Sequence, residues 1–310
     1  MSTYGRPPDA SFADATTLLS PPERGQGHWV GAPCVHRHGD RTYLAVRWRT
    51  PEERGHAVTL YEYDGSESLS ECVQLTADDL GVVSVERAGL CTNPRTGDLQ
   101  CYLPVDRGGN DWVIQKLGDV ADPAALDPTT AHTVLRPTPG TSDAGTVKDP
   151  VVEVVGGQYV MFYAGADGLS EQAHLATSVD GETWTKHPDN PVVDRAYWHD
   201  HHVRVSTVVP ATDAPVWLVF YEGSGVADHG RTWNLRTGMG VSPDLRRITD
   251  TSPDGPVYES PLADRPTGVD TFATCRYLDI LQHDEEWELF AEVARPDDSF
   301  ELRHVTVSPP

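Results

Sequence analysis

Ionisable residues recur at one place in a repeating pattern of this chain. The apolar runs starting at Tyr43, Leu99, Tyr159, Trp217 and Trp287 can be laid on one another. The run preceding each then carries, at a common position, Ala32, Glu86-Arg87, Lys148-Asp149, His201-His202 and Arg276. Four of the five repeats thus place charge or imidazole where a packed core would want apolar side chains. A second set comes from the far end of the aligned runs, where Glu222 and Glu292 share one place and Arg47 falls there in the first repeat. Carboxylates crowded among arginines have their pKa values pushed apart, which is the arrangement that moves protons at a reacting centre.

The elements that must position these residues are strands. The stretch from Lys148 to Val193 contains four strand-like runs, Asp149–Val155, Gln158–Gly165, Ala173–Ser178 and Thr183–Lys186. Gly156-Gly157, Gly165–Ser170 and Asp180-Gly181 separate them, and Gly-Gly or Asp-Gly between alternating apolar runs signals a hairpin because those residues reach positive φ cheaply. The stretch reads as a four-stranded antiparallel meander, which cannot bury its faces alone. The aligned runs begin 56, 60, 58 and 70 residues apart, near the ~50 residues of a propeller blade. The expectation is an all-β, five-bladed β-propeller of four-stranded blades. It forms a single domain over 28–310 behind an N-terminal arm, 1–27, with the Pro- and Thr-rich stretch 122–145 as a long connection on one propeller face.

Composition excludes several classes of partner. The formal net charge is −23, and only three of the 24 basic residues are lysines, Lys116, Lys148 and Lys186. An evenly acidic, lysine-poor surface suits concentrated salt, where screening shortens to ~3 Å at 1 M, and makes nucleic acid and anionic membranes unfit partners. No apolar run nears the ~18 residues of a membrane span. MSTYGRPPDA has no apolar export core. The five cysteines have no metal-type spacing and read as free thiols. A cytoplasmic protein without cofactor or metal is expected.

The segments KDPVV, GGQYVMFYAG and ATSVDGETWTK, with VWLVFYEGSG and GMGVSPDL, resemble the five-bladed propeller glycosidases of glycoside hydrolase families 43, 32 and 68 and their relatives in family 130. The resemblance spans about 28–308 and is strongest over 145–245. It implies a glycosidic bond as substrate, in a small carbohydrate. The family-43 pattern uses three carboxylates: a base before proline in the first blade, an Asp in Lys/Arg-Asp-Pro of the third, and an acid before glycine in the fourth. Asp149 of Lys148-Asp149-Pro150 matches the second role, orienting the sugar and tuning the acid. Glu222 of Tyr221-Glu222-Gly223 matches the third, the general acid. At the first place stands Ala32-Pro33, and alanine can neither take a proton nor attack a sugar.

Glycoside hydrolysis ordinarily needs two carboxylates, so the loss leaves three readings open. Asp149 and Glu222 form the pair, or Glu86 or Glu292 supplies the base. Alternatively phosphate attacks directly, as in the family-130 phosphorylases, held by Arg87, Lys148, His201, His202 and Arg276; the same cradle would suit an anionic sugar. Or the propeller binds sugar without cleaving it. His199-Asp200-His201-His202 reads as hydrogen-bonding histidines rather than a metal site, since adjacent strand residues point to opposite faces. Ser178–Trp184 reads as a structural hairpin, and Trp29, Trp48, Trp198 and Trp233 as stacking or core residues.

Overall fold

The computed structural model describes residues 6–168, 170–226, 234–261 and 273–310. Among these residues the structure is strands, turns and three short 3-10 helices, and no helix is long and apolar enough to cross a membrane. The chain divides into two compact units, Ala32–Pro191 and Met1–Gly31 with Val192–Pro310. Strands are numbered along the chain, with β1 (Thr16–Leu19) in the latter unit.

The Ala32–Pro191 unit holds three antiparallel meanders. The first is β2 (Trp29–His38, its first three residues belonging to the other unit), β3 (Arg41–Thr50), β4 (Arg54–Tyr63) and β5 (Leu69–Thr76). The second begins with an interrupted strand, β6 (Ser84–Val85) and β7 (Gly89–Thr92), both paired with β8 (Leu99–Asp106), and continues through β9 (Trp112–Lys116) to β10 (His132–Leu135). The third is β11 (Thr146–Val155), β12 (Gln158–Ala166), β13 (Glu171–Ser178) and β14 (Thr185–Lys186). Its first turn is as expected, since Gly156 and Gly157 both adopt positive φ, 59° and 80°.

The other unit holds two meanders. One is β15 (His202–Pro210), β16 (Trp217–Ser224), β17 (Arg236–Ser242) and β18 (Thr249–Asp250). The other is β19 (Cys275–Gln282), β20 (Trp287–Ala294) and β21 (Phe300–Val307), with β1 from the N-terminal segment as its fourth strand.

Consecutive meanders within a unit share a core. Alternation along β3 and β8 puts Tyr43, Ala45, Leu99, Cys101 and Leu103 into one cluster with Leu75 and Val113. Tyr102, Met161, Tyr163 and Ala176 form the next. In the other unit Phe220, Met239, Leu278, Trp287 and Leu289 pack together. Each fully buried large side chain contributes ~1.5–3 kcal/mol, so this shared apolar layer is what holds one sheet against its neighbour.

Two expectations need correction. The stretch 122–145, expected only as a long connection, also supplies a strand: it contains β10, which pairs with β9 and completes the second meander, because His132–Leu135 presents backbone groups to an otherwise open edge. The four-stranded count of the last meander is reached only by borrowing β1, through pairs such as Thr16 with His304.

Candidate functional site

The first strand of four meanders is irregular at nearly the same place. In β11 the register runs Lys148–Ala164 and then Val151–Phe162, so Asp149 and Pro150 together oppose Tyr163. In β19 it runs Arg276–Glu292 and then Asp279–Phe290, leaving Tyr277 and Leu278 against Ala291. In β15 Ser206 is the extra residue, between Val205–Tyr221 and Thr207–Phe220. Between β6 and β7 the three residues Glu86, Arg87 and Ala88 span two of β8. Such bulges re-aim side chains and are frequent beside active sites. Asp149 and Tyr277 both sit at φ 52°, and Ala32 on β2 at φ 49°. Left-handed backbone is costly for a residue with a Cβ, and such strain gathers at functional positions.

In the Ala32–Pro191 unit, Glu86 is buried and ion-paired with Arg47, with Arg49 Nη1 3.6 Å from its other oxygen. Burial alone would push the Glu86 carboxyl up, but Arg47, Arg49 and Lys148 outweigh it and hold the carboxyl below its usual range. Arg87 Nε donates to the Pro33 carbonyl at 2.8 Å, beside Ala32. Lys148 pairs with Glu171 and lies 5.6 Å from the Trp112 ring centroid. Asp149 is buried. A Cβ on Gly89 would lie 2.9 Å from the Pro150 carbonyl, so glycine there lets β7 approach the bulge that carries Asp149.

In the other unit, Glu222 is buried and both of its oxygens accept: Oε1 from Arg204 Nε at 2.7 Å, Oε2 from the Tyr277 backbone N–H at 2.9 Å. Glu292, fully buried, takes Arg276 Nε at 2.7 Å and Nη2 at 2.6 Å on one oxygen. The Tyr277 ring lies 4.5 Å from the Arg204 guanidinium and 5.1 Å from that of Arg276. Gly31 is required here, because a Cβ would come within 2.6 Å of Glu292 Cβ and Cγ.

The registers place Arg204, not His201-His202, where Lys148 and Arg276 stand in their strands. The sequence alignment missed Arg204 because the hairpin from β15 to β16, counted between register partners, is two residues longer than those from β11 to β12 and from β19 to β20, so Arg204 stands 13 residues before its apolar run where Lys148 and Arg276 stand 11 before theirs. His202, opposite Ser224, is two residues from Arg204 along β15, on the same face as the Arg204–Glu222 pair, and the His201 ring packs edge-on against it with centroids 4.3 Å apart. Arg204 and Glu222 are register partners as Arg276 and Glu292 are, although 18 and 16 residues separate them along the chain.

His199 and Asp250 join this region, with His199 Nε2 3.3 Å from Asp250 Oδ2 and the Tyr221 hydroxyl donating to Oδ1 at 2.7 Å. Trp198 stacks on Tyr221 and donates Nε1 to the Ser252 carbonyl, and Trp29 stacks on Phe300 in the core. Trp233 lies outside the described residues. Asp180 of the Ser178–Trp184 turn accepts from the Glu182 and Thr183 backbone and from the Ser178 hydroxyl, as a structural hairpin does.

No protein-family model matches the chain, and no curated protein matches it in sequence. Solved structures do match. A protein solved as a complex with RGII superposes with TM-score 0.67 at 15% identity, over 96% of this chain and 94% of its own. The fold is shared with solved structures of glycoside hydrolases. An α-L-arabinofuranosidase from Lactobacillus brevis gives TM-score 0.61 at 11% identity, covering 93% and 94% of the two chains. A structure from work on the GH130 mannoside phosphorylases, a family containing hydrolases of β-1,2 mannosidic linkages in Candida mannan, gives 0.63 at 13%, covering 98% and 96%. At these identities the likeness is one of fold.

Proposed function

We propose that this chain is a carbohydrate-active enzyme that cleaves a glycosidic bond, built as one five-bladed propeller over 28–310 behind the 1–27 arm. Glu222 is the general acid and Asp149 the carboxylate that steadies it and anchors the sugar. The glycoside hydrolase fold supports the substrate class. The observation that carries the assignment is Glu222 itself. A strand glutamate withdrawn from water, with both oxygens fixed by Arg204 and Tyr277, costs several kcal/mol of desolvation that an apolar residue would avoid. In the reaction Glu222, in its protonated form, passes its proton to the glycosidic oxygen as the C–O bond breaks, and water adds to the anomeric carbon, losing its proton to a second carboxylate, Asp149, Glu86 or Glu292.

Ala32 favours a second reading. Its backbone keeps the left-handed conformation that Asp149 has in the same unit, with a methyl group where a carboxylate would act. A sugar-binding propeller that has lost its base would look like this. Phosphorolysis is less well supported, because Lys148 and Arg276 of its cradle are each already engaged by a carboxylate, as is Arg204, which stands in the place read for His201-His202, and the same matching argues against an anionic sugar. The test is Glu222→Gln: turnover of a glycoside should disappear while circular dichroism is unchanged, and retained turnover removes the assignment.

A further inference from the structure

A cavity of about 500 Å³ opens in the Ala32–Pro191 unit, lined by Ser142, Asp143, Tyr163, His174, Lys186 and, from the segment after it, His187, Pro188, Asn190 and Pro191. That volume is within the range of small-ligand sites. None of these residues takes part in the chemistry assigned above. Tyr163 faces the Asp149-Pro150 bulge across β11 and β12, and His174 is its register partner on β13. The cavity is therefore one to two strand spacings, about 5–10 Å, from Asp149.

Its charges are spent on one another. The Asp143 carboxylate accepts four donors: the Thr138 N–H at 3.2 Å and the Thr141 hydroxyl at 2.6 Å on Oδ1, the Tyr163 hydroxyl at 2.8 Å and Lys186 on Oδ2. The three protons of Lys186 go to Asp143, the Arg136 carbonyl and the Thr138 hydroxyl. A bound anion would find no uncommitted ammonium, and a bound cation no uncommitted carboxylate.

Hydrogen-bonding capacity remains, and its polarity can be assigned. His174 Nδ1 lies 2.8 Å from the Gln172 carbonyl, which only accepts, so Nδ1 carries the proton and Nε2 of the neutral ring accepts from Ser142 Oγ at 2.8 Å. Burial pushes the His174 pKa down, which keeps the ring neutral. Ser142 Oγ is left with lone pairs for a ligand. The Asp189 N–H donates to His187 Nδ1 at 3.2 Å, which leaves Nε2–H of His187 as a donor. Pro188 and Pro191 add apolar surface. The Ser142–His174 pair has the spacing of a nucleophile and its base, but the Lys186, Thr141 and Tyr163 donors around it are committed to Asp143, so none is left to hold an oxyanion.

We propose that this cavity is a binding site for a neutral, hydroxyl-bearing sugar unit, built from residues other than Glu222 and Asp149. Hydroxyls both donate and accept, matching Ser142 and His187, and the apolar face of a sugar ring suits the prolines. Such a unit can come from a free monosaccharide or from the end of a chain, two sources that share the same chemistry.

The test is calorimetric titration of the full-length protein at high salt. The probes are arabinose, mannose and galactose, their short oligosaccharides, and galacturonate and glucose 6-phosphate as anionic counterparts. Glu222→Gln is the background, so that turnover plays no part. Neutral sugars should bind at millimolar concentration and the anionic ones at least tenfold more weakly. Ser142→Leu, which fills the cavity, should abolish that binding, and Ser142→Ala should weaken it several-fold, with melting temperatures confirming that both variants fold. Equal affinity for monosaccharide and oligosaccharide identifies a free sugar, and higher affinity for the oligosaccharide a chain end; either supports the site. Absence of neutral-sugar binding, anionic probes binding as well as neutral ones, or binding indifferent to Ser142→Leu in a folded protein would overturn it.

Discussion

Arg204 on β15 and Glu222 on β16 are direct register partners, and the guanidinium Nε of one lies 2.7 Å from Oε1 of the other. Both are buried almost completely. Removing one partner of such a pair leaves an uncompensated buried charge, at a cost of ~3–5 kcal/mol. Arg204→Met should lower the stability measured by denaturant titration by that order. A change below ~1 kcal/mol would show that Glu222 does not depend on this guanidinium.

Gly31 is predicted to tolerate no side chain. A Cβ there would collide with Glu292 at 2.6 Å, and forcing extra atoms into a packed interior costs ~1–3 kcal/mol. Gly31→Ala should shift the denaturation midpoint down accordingly. An unchanged midpoint would mean that Glu292 moves aside freely and is not held by Arg276.

Glu86 makes stability depend on acid. Burial opposes its ionisation, but Arg47, Arg49 and Lys148 outweigh burial and hold the folded-state value down to about 2. A carboxyl whose folded pKa is depressed contributes stability that is fully present above its unfolded value, ~4.3. That contribution is lost as pH falls through the folded value. Between about pH 4.3 and 2 the wild type should therefore lose stability more steeply than Glu86→Gln. Parallel curves would contradict the pairing.

Salt should stabilise the whole protein. With a formal net charge of −23, self-repulsion is relieved as screening shortens toward ~3 Å at 1 M salt. Melting temperature should rise with salt, and dilution into low-salt buffer should unfold the chain. A melting temperature indifferent to salt would mark an ordinary acidic protein.

Ala32→Asp separates the two functional readings. If Glu222 and Asp149 act without a first-blade base, the substitution brings no gain in hydrolysis. A gain would show that the left-handed site at Ala32 still presents a carboxylate productively, and that the natural chain is a sugar binder with its base lost.

Turn chemistry made much of the fold legible. Gly156-Gly157 and the alternation around it predicted Gln158–Gly165 where β12 is Gln158–Ala166, and Ala173–Ser178 where β13 is Glu171–Ser178. What escaped was non-local. Whether β1 joins β21, or β10 joins β9, depends on a vacant strand edge and not on the residues of either short run. Bulges were invisible for a related reason: one inserted residue shifts every later side chain, and the longer β15–β16 connection hid Arg204 behind His201-His202. Asp149, Glu222 and Glu292 could be singled out because Lys-Asp-Pro, Tyr-Glu-Gly and Ala-Glu-Val flank or end long apolar runs. The Ser142–His174 cavity could not be read from sequence, since its walls come from segments 32 residues apart with no shared pattern.

The central claim is tested most directly by release of reducing sugar or sugar phosphate from a broad panel of neutral and anionic glycosides at high salt, with and without phosphate, using Glu222→Gln as the blank. The account predicts turnover of a neutral glycoside that needs no phosphate and vanishes in the blank. Turnover that survives Glu222→Gln, or no turnover across the panel alongside stabilisation by a sugar, would contradict it.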